Sequence, residues 1–239
     1  MQRWNDEKLV WNPSDYGGLK EIHLSEHEIW QPDLLLYNSA SGSGTNHYGT
    51  TNIIVSNNGS VIWVPPTEFQ TFCDLNLKYW PFDSHDCHLI LGSWTYNGNE
   101  IDIVGNMAHA IMVEVLVQNY KWEITKSLAS RNIRYYSCCT EPYVDIEFNI
   151  TIQRRSPMYK AVVITPASMI VLMTLASFWL PCQAGEKILL NGVTAIIIVI
   201  FLIYFAHKLP AMASHTPLIG IYFYTNYVLG QKEYNTNMF

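Results

Sequence analysis

Hydrophobic and polar residues alternate through the first 156 residues and then give way to long, unbroken apolar runs. Val144, Ile146, Phe148, Ile150 and Ile152 interleave with Asp145, Glu147, Asn149, Thr151 and Gln153. That period of two predicts a strand with one core face and one wet face. Ile53–Val55 and Val61–Val64 flank Asn58-Gly59, which predicts a hairpin. Turn clusters recur at Asn12-Pro13-Ser14-Asp15, Ser39–Gly44, Val64-Pro65-Pro66 and Asn97-Gly98-Asn99. Short strands at this spacing predict an all-β, immunoglobulin-like antiparallel sandwich over 1–156.

The apolar runs have membrane length. Residues 161–185 contain no Asp, Glu, Lys or Arg, and as a helix of 1.5 Å rise they reach roughly 37 Å, more than the ~30 Å core of a bilayer. Residues 188–206 are equally free of charge. A third stretch, 209–231, carries Pro210, Pro217, Gly220, Asn226 and Gly230, so only its middle can span. The alternative is a set of buried core helices. Two such runs, separated by a few residues with Glu186-Lys187 among them, favour the membrane. Helices are expected at about 158–180 and 187–206, with a partial third at about 216–230 and no fourth. The domains are accordingly 1–156 and 157–239, meeting at Arg154-Arg155-Ser156-Pro157. The opening MQRWNDEKLV has no apolar signal-peptide core, and we read the sandwich as lacking an N-terminal part.

Charge sharpens the division. Residues 1–156 hold 18 acidic and 10 basic side chains, whereas 157–239 hold only Lys160, Glu186, Lys187, Lys208, Lys232 and Glu233. An acidic first half argues against nucleic acid and suits a cationic ligand. Asn58-Gly59-Ser60 and Asn149-Ile150-Thr151 are glycosylation sequons, both in the half expected outside the cell. No Gly-x-Ser-x-Gly or His-Glu-x-x-His stands in the sequence, so an enzyme is not expected.

Of five cysteines, Cys73 and Cys87 enclose thirteen residues. As a disulfide in an exported domain they would close a loop worth about 3 kcal/mol in the chain-entropy model; the alternative is two buried thiols. His85 and His88 form no ligand-spaced set with a second pair, which disfavours zinc, and neither metal nor cofactor is expected. Cys138 and Cys139 are adjacent, and Cys182 stands between the first two apolar runs. Adjacent cysteines rarely bond, and such a bond is strained and readily reduced.

These residues carry a resemblance. The Cys-x13-Cys loop containing Trp80-Pro81-Phe82-Asp83 resembles the signature of the Cys-loop, or pentameric ligand-gated, receptors. The segment Tyr135-Tyr136-Ser137-Cys138-Cys139-Thr140-Glu141-Pro142-Tyr143 resembles the tip loop of nicotinic acetylcholine receptor α-type subunits. Trp11-Asn12-Pro13 with Asp15–Gly18, Trp30-Gln31-Pro32-Asp33 leading to Tyr37-Asn38, and Gly92–Tyr96 are similar to further segments of that family, in order. So are Gly185-Glu186-Lys187 and Pro217–Gly220.

The resemblance implies disulfides Cys73–Cys87 and Cys138–Cys139. It implies a principal-face agonist site of Tyr37, Trp94, Tyr136 and Tyr143 capped by Cys138 and Cys139. The expected ligand is acetylcholine or a related quaternary or protonated amine, which aromatic faces hold by cation–π attraction. For a lone Trp or Tyr, sandwich core is the competing reading. The early Trp of the complementary face lies upstream of this sequence, and Trp4 does not replace it. The pore face implied is Glu186, Leu189, Val193, Ile196, Ile200, Ile203 and His207, with Glu186 in a cation-attracting ring at the cytoplasmic mouth. Asp83 and Arg155 are the expected coupling pair. Membrane lipid and other subunits of a pentamer are the expected partners, in a multi-pass, postsynaptic plasma-membrane protein.

Several residues depart from the family pattern. Leu189 and Val193 replace small hydroxyl residues, and His207 replaces an acidic one. Cys182-Gln183-Ala184 replaces a linker that usually contains an acid, and Lys160 stands where an apolar residue is usual. The leading expectation is a subunit of an acetylcholine-gated cation channel. The second is a truncated, non-conducting regulatory subunit that binds ligand or partners.

Overall fold

The computed structural model describes residues 1–41, 48–105, 119–155, 157–181, 185–209 and 214–236. Cys182, with its linker, Ser156 and part of the linkers at 39–44 and 210–217 fall outside them. Among the described residues, eight strands precede the helices: β1 (Gln2–Val10), β2 (Glu21–Leu24), β3 (Leu34–Leu36), β4 (Ile53–Ser56), β5 (Asn58–Trp63), β6 (Ser84–Ser93), β7 (Trp122–Arg134) and β8 (Tyr143–Arg154). They form two four-stranded sheets, ordered β1-β5-β4-β2 and β3-β6-β8-β7. The two antiparallel sheets followed by helices agree with the expected fold class.

By compactness the chain falls into two units, Met1–Phe72 with His88–Ala110 and Leu128–Phe148, and Cys73–Cys87 with Ile111–Ser127 and Asn149–Phe239. In the first, the expected hairpin forms, with Val55 opposite Val61 and Ile54 opposite Ile62. Ile53, Val55, Val61 and Trp63 are buried together, as period-two alternation requires. Gly59 has a φ of +84°, and a Cβ there would stand 2.5 Å from the Asp6 carbonyl oxygen of β1. The close approach of β1, whose register shifts between Asn5 and Val10, leaves room only for glycine.

Asp145 departs from the expected wet face. It is 1% exposed, because Arg134 Nε and the Asn132 side-chain amide (3.0 Å) both donate to its carboxylate. A buried charge persists when it is paired and hydrogen-bonded, and here cross-strand partners override the sequence alternation.

The second unit holds helices α1 (Pro157–Trp179), α2 (Gly185–Lys208) and α3 (Leu218–Thr236). α1 and α2 are long and apolar enough to cross a membrane. A π-helical turn at Lys160–Ile164 lies in α1 just before Pro166. Proline cannot donate to the preceding turn, and a wider turn is one way to absorb the lost bond. α3 runs past the expected end at about 230 and through Lys232 and Glu233, although its apolar stretch is Leu218–Leu229. Its polar end continues because helix propensity does not require apolarity.

Trp80 of the Cys73–Cys87 loop is buried in the same cluster as Val163, Ile170, Ile198, Phe205 and Phe223 of the helices. Its ring stands edge-on to Tyr159 at 5.2 Å and to Phe205 at 5.4 Å. The loop is tied by a Cys73–Cys87 disulfide with Cα atoms 5.0 Å apart. The Ser214 N–H donates to the Leu75 carbonyl at 3.1 Å, and the Leu218 N–H to that of Lys78 at 3.0 Å.

Candidate ligand-binding site

Sheet order, rather than chain order, assembles the aromatic group. Tyr37 follows β3, Trp94 follows β6, Tyr143 begins β8 and Tyr136 follows β7. In the sheet β3-β6-β8-β7 these strands are successive neighbours. Tyr37 and Trp94 meet edge to face at 6.1 Å, and Tyr136 and Tyr143 at 5.5 Å. Trp94 is 67% exposed and Tyr136 45%, so these rings are not core packing.

Tyr37 is held at several points. Its N–H donates to the Ile90 carbonyl at 2.8 Å, and its hydroxyl to the Ser93 carbonyl at 2.5 Å. Gly92 makes room for it, since a Cβ there would lie 2.6 Å from Tyr37 Cζ. Burial pushes the Tyr37 hydroxyl pKa up to about 12, with Tyr136, Asp145, Asp33 and Tyr143 adding to the shift. The phenol therefore stays neutral, a donor with an intact ring face.

Asp33 stations the Trp94 segment. Its Oδ1 accepts from the Ser93 hydroxyl at 2.5 Å, and its Oδ2 from the Thr95 N–H at 2.7 Å and the Thr95 hydroxyl at 2.6 Å. Burial alone would raise its pKa; the hydrogen bonds win and lower it. The Gly98 N–H donates to the Pro142 carbonyl at 2.6 Å, clipping the Trp94 loop to the residue before Tyr143. At the base of the β7–β8 tip, Arg134 joins the buried Asp145, which holds the guanidinium pKa above its ordinary value. Asp33, Gly92, Gly98 and Arg134 were not singled out as site residues from sequence. The only signal was their presence in or beside the quoted motifs.

Cys138 and Cys139 lie at this tip as free thiols, in contrast to the expected bonded pair. Joining adjacent cysteines closes a small ring through the intervening peptide, so the thiol form avoids that distortion. A hydrogen bond with Cys138 is the largest cause raising the Cys139 thiol pKa. The charge of Cys139 is in turn the largest cause raising that of Tyr143.

At the Cys73–Cys87 loop the expected pair is corrected. Asp83 joins Arg154, not Arg155: Arg154 Nε donates to Oδ1 at 2.7 Å and Nη2 to Oδ2 at 2.9 Å. Arg155 instead pairs with Glu123 at 2.8 Å, exposed. Neighbouring residues at a strand end point to opposite faces, so only one can reach the buried carboxylate. The Arg154 guanidinium also lies over the Trp122 ring at 4.2 Å. Burial would raise the Asp83 pKa, but hydrogen bonds from Arg154 and His85, with the charge of Arg154, lower it.

On α2, Leu189, Val193, Ile196, Ile200 and Ile203 are exposed along one face, with Glu186 and His207 exposed near its ends. Thr194 is buried and its hydroxyl donates to the Leu190 carbonyl at 2.7 Å. Asn58 and Asn149 are exposed. Among the described residues no group of three or more His, Cys, Asp or Glu could hold a metal ion.

The described residues thus place two antiparallel sheets with an aromatic corner ahead, in the chain, of apolar helices packed against a disulfide-tied loop. Residues 1–156 match the neurotransmitter-gated ion-channel ligand binding domain, and 163–231 the neurotransmitter-gated ion-channel transmembrane region. The chain belongs to the neurotransmitter-gated ion-channel family, whose members are receptors and not enzymes. It is 36% identical over 222 residues to neuronal acetylcholine receptor subunit alpha-9-II of Oncorhynchus mykiss, covering 93% of this chain and 40% of that protein. It is also 36% identical over 220 residues to acetylcholine receptor subunit alpha-type acr-16 of Caenorhabditis elegans, covering 92% and 44%. With neuronal acetylcholine receptor subunit alpha-9 of Homo sapiens it shares 33% over 222 residues, covering 93% and 46%. The chain thus spans less than half the length of these curated relatives.

Proposed function

We propose that this chain is a subunit of an acetylcholine-gated, cation-selective channel and supplies the principal face of the agonist site. The observation that carries the reading is the group of four aromatic residues on successive strands, beside the Cys138-Cys139 tip. A quaternary ammonium has no N–H to donate, so ring faces are its natural partners, at about 0.5–2 kcal/mol per contact. The neutral Tyr37 hydroxyl and the exposed Trp94 suit that role. The names of the acetylcholine receptor relatives support the ligand class.

In this reading the tip carrying Cys138 and Cys139 closes over bound agonist, and higher affinity for the closed form shifts the channel equilibrium. Oxidation of the two thiols in the extracellular medium would stiffen the cap. Asp83 and Arg154 take the coupling role expected of Asp83 and Arg155. The chain joins other subunits in a pentamer at a postsynaptic plasma membrane, with 1–156 outside, glycans on Asn58 and Asn149, and 157–239 among lipid. Glu186 contributes to a cation-attracting ring. A second reading, a regulatory subunit that does not conduct, is favoured by the wholly apolar face from Leu189 to Ile203.

Trp94→Ala and Trp94→Phe test the site, by displacement of a labelled quaternary ammonium from the chain co-expressed with a complementary subunit. The alanine is expected to lose about 1–3 kcal/mol of affinity, as a truncated hot spot does, and the phenylalanine less, since it keeps a ring. Undiminished binding by Trp94→Ala would remove Trp94 from the site.

A further inference from the structure

The second unit contains a buried histidine that the ligand site does not use. We propose that His85 is the positioning residue of the Asp83–Arg154 pair, a standing second partner that keeps the Asp83 carboxylate oriented and hydrogen-bonded when the arginine lets go. This rests on the coupling role proposed above for that pair.

The His85 side chain is fully buried, and its Nε2 lies 2.5 Å from Asp83 Oδ2. A carboxylate only accepts, so Nε2 carries the hydrogen. Asp83 is 3% exposed and receives two partners: Arg154 at both oxygens and His85 at Oδ2. Trp122 serves as a shared wall. The His85 ring meets it at 5.6 Å and 60°, and the Arg154 guanidinium lies over it at 4.2 Å. Four side chains from the Cys73–Cys87 loop, β6, β7 and β8 thus form a closed circuit.

Two features separate a positioning role from space filling. His85 and Asp83 are two residues apart, on one face of the strand start, so the contact is set by the backbone and does not depend on Arg154. The second nitrogen, Nδ1, is buried without a hydrogen-bond partner among the described residues. An orphaned acceptor is costly, and an apolar side chain of similar size would avoid that cost. What an apolar side chain lacks is the donor to Asp83. Moving Arg154 away would otherwise leave a buried carboxylate unpaired, the most damaging way to break such a pair. With His85 in place, that state keeps one hydrogen bond.

The test uses the full chain in lipid nanodiscs. Thermal midpoints are measured for the parent, His85→Leu, His85→Gln, Arg154→Gln, and the doubles His85→Leu/Arg154→Gln and His85→Gln/Arg154→Gln. The glutamine amide can reach Asp83 from near the position of Nε2; leucine cannot. Each single variant is expected to fold. The leucine double should lose several degrees more than the sum of its singles, or fail to fold, and the glutamine double should recover most of that excess. Additive shifts, or equal behaviour of the leucine and glutamine doubles, would overturn the proposal. Nitrogen-15 shifts of the His85 ring provide a readout that packing alone does not set: protonation at Nε2 is expected, and a ring protonated at Nδ1 alone overturns the assignment. Binding of labelled quaternary ammonium by the parent, co-expressed with a complementary subunit, is measured in parallel. Its loss would count against the functional reading, whereas the midpoint cycle decides the histidine.

Discussion

At the scale of single residues, Gly92 and Asp83 bear the sharpest constraints. A Cβ on Gly92 would collide with the Tyr37 ring, whose hydroxyl donates to the Ser93 carbonyl while the Tyr37 backbone N–H donates to that of Ile90. Gly92→Ala should cost about 1–3 kcal/mol, the usual range for overpacking, and weaken ligand binding by displacing Tyr37. Denaturant midpoints and ligand displacement on the same preparation check both effects. Asp83 links stability to pH. Its carboxyl is held below its ordinary value by Arg154 and His85 against the opposing effect of burial. A depressed carboxyl contributes stability that is present above the unfolded value and lost as pH falls through the folded one. Melting curves taken from neutral pH down through the carboxylate range should show that loss in the parent. Asp83→Asn should flatten it and lower stability at neutral pH by about 3–5 kcal/mol, as removal of one partner from a buried pair does.

At the scale of elements, strand geometry decides what the residues can reach. The Arg154 and Arg155 side chains are equivalent in charge, yet β8 turns one to Asp83 and the other to Glu123. The β7–β8 tip brings Cys138 and Cys139 together with Tyr136 and Tyr143, and it remains thiol in this structure. In the reduced chain Cys138 and Cys139 should both react with iodoacetamide. Mild oxidation should remove both reactivities together, because each is the other's nearest thiol in sequence. Low dithiothreitol should restore them before it opens Cys73–Cys87, since a strained vicinal bond is the more reducible. Peptide mapping after each step checks the order; independent oxidation of the two would contradict it.

At the scale of the whole molecule, the proposed pore face sets the expected behaviour. From Leu189 to Ile203 the exposed face of α2 carries no hydroxyl, amide or charge over about 21 Å, and the Thr194 hydroxyl is turned to its own helix. A constriction that apolar expels water. The 239-residue chain expressed alone should give no agonist-evoked current, and Leu189→Thr with Val193→Ser should be required before any appears in an assembly that includes it. Voltage-clamp recording checks this, and robust cation current from the unmodified chain alone would refute it. The same scale shows how far the sequence could be read. Period-two alternation was sufficient for β8 and the β4–β5 hairpin, and charge-free runs for two helices long and apolar enough to cross a membrane, because each depends on neighbours within a few residues. The family motifs named Tyr37, Trp94, Tyr136 and Tyr143, but nothing in their order along the chain says that β3, β6, β8 and β7 lie side by side. Alternation set Asp145 on a wet face, and charge alone could not choose between Arg154 and Arg155. Those outcomes were decided by tertiary structure, because the free energy of a carboxylate depends on the donors that surround it, and the chain brings those donors from other strands.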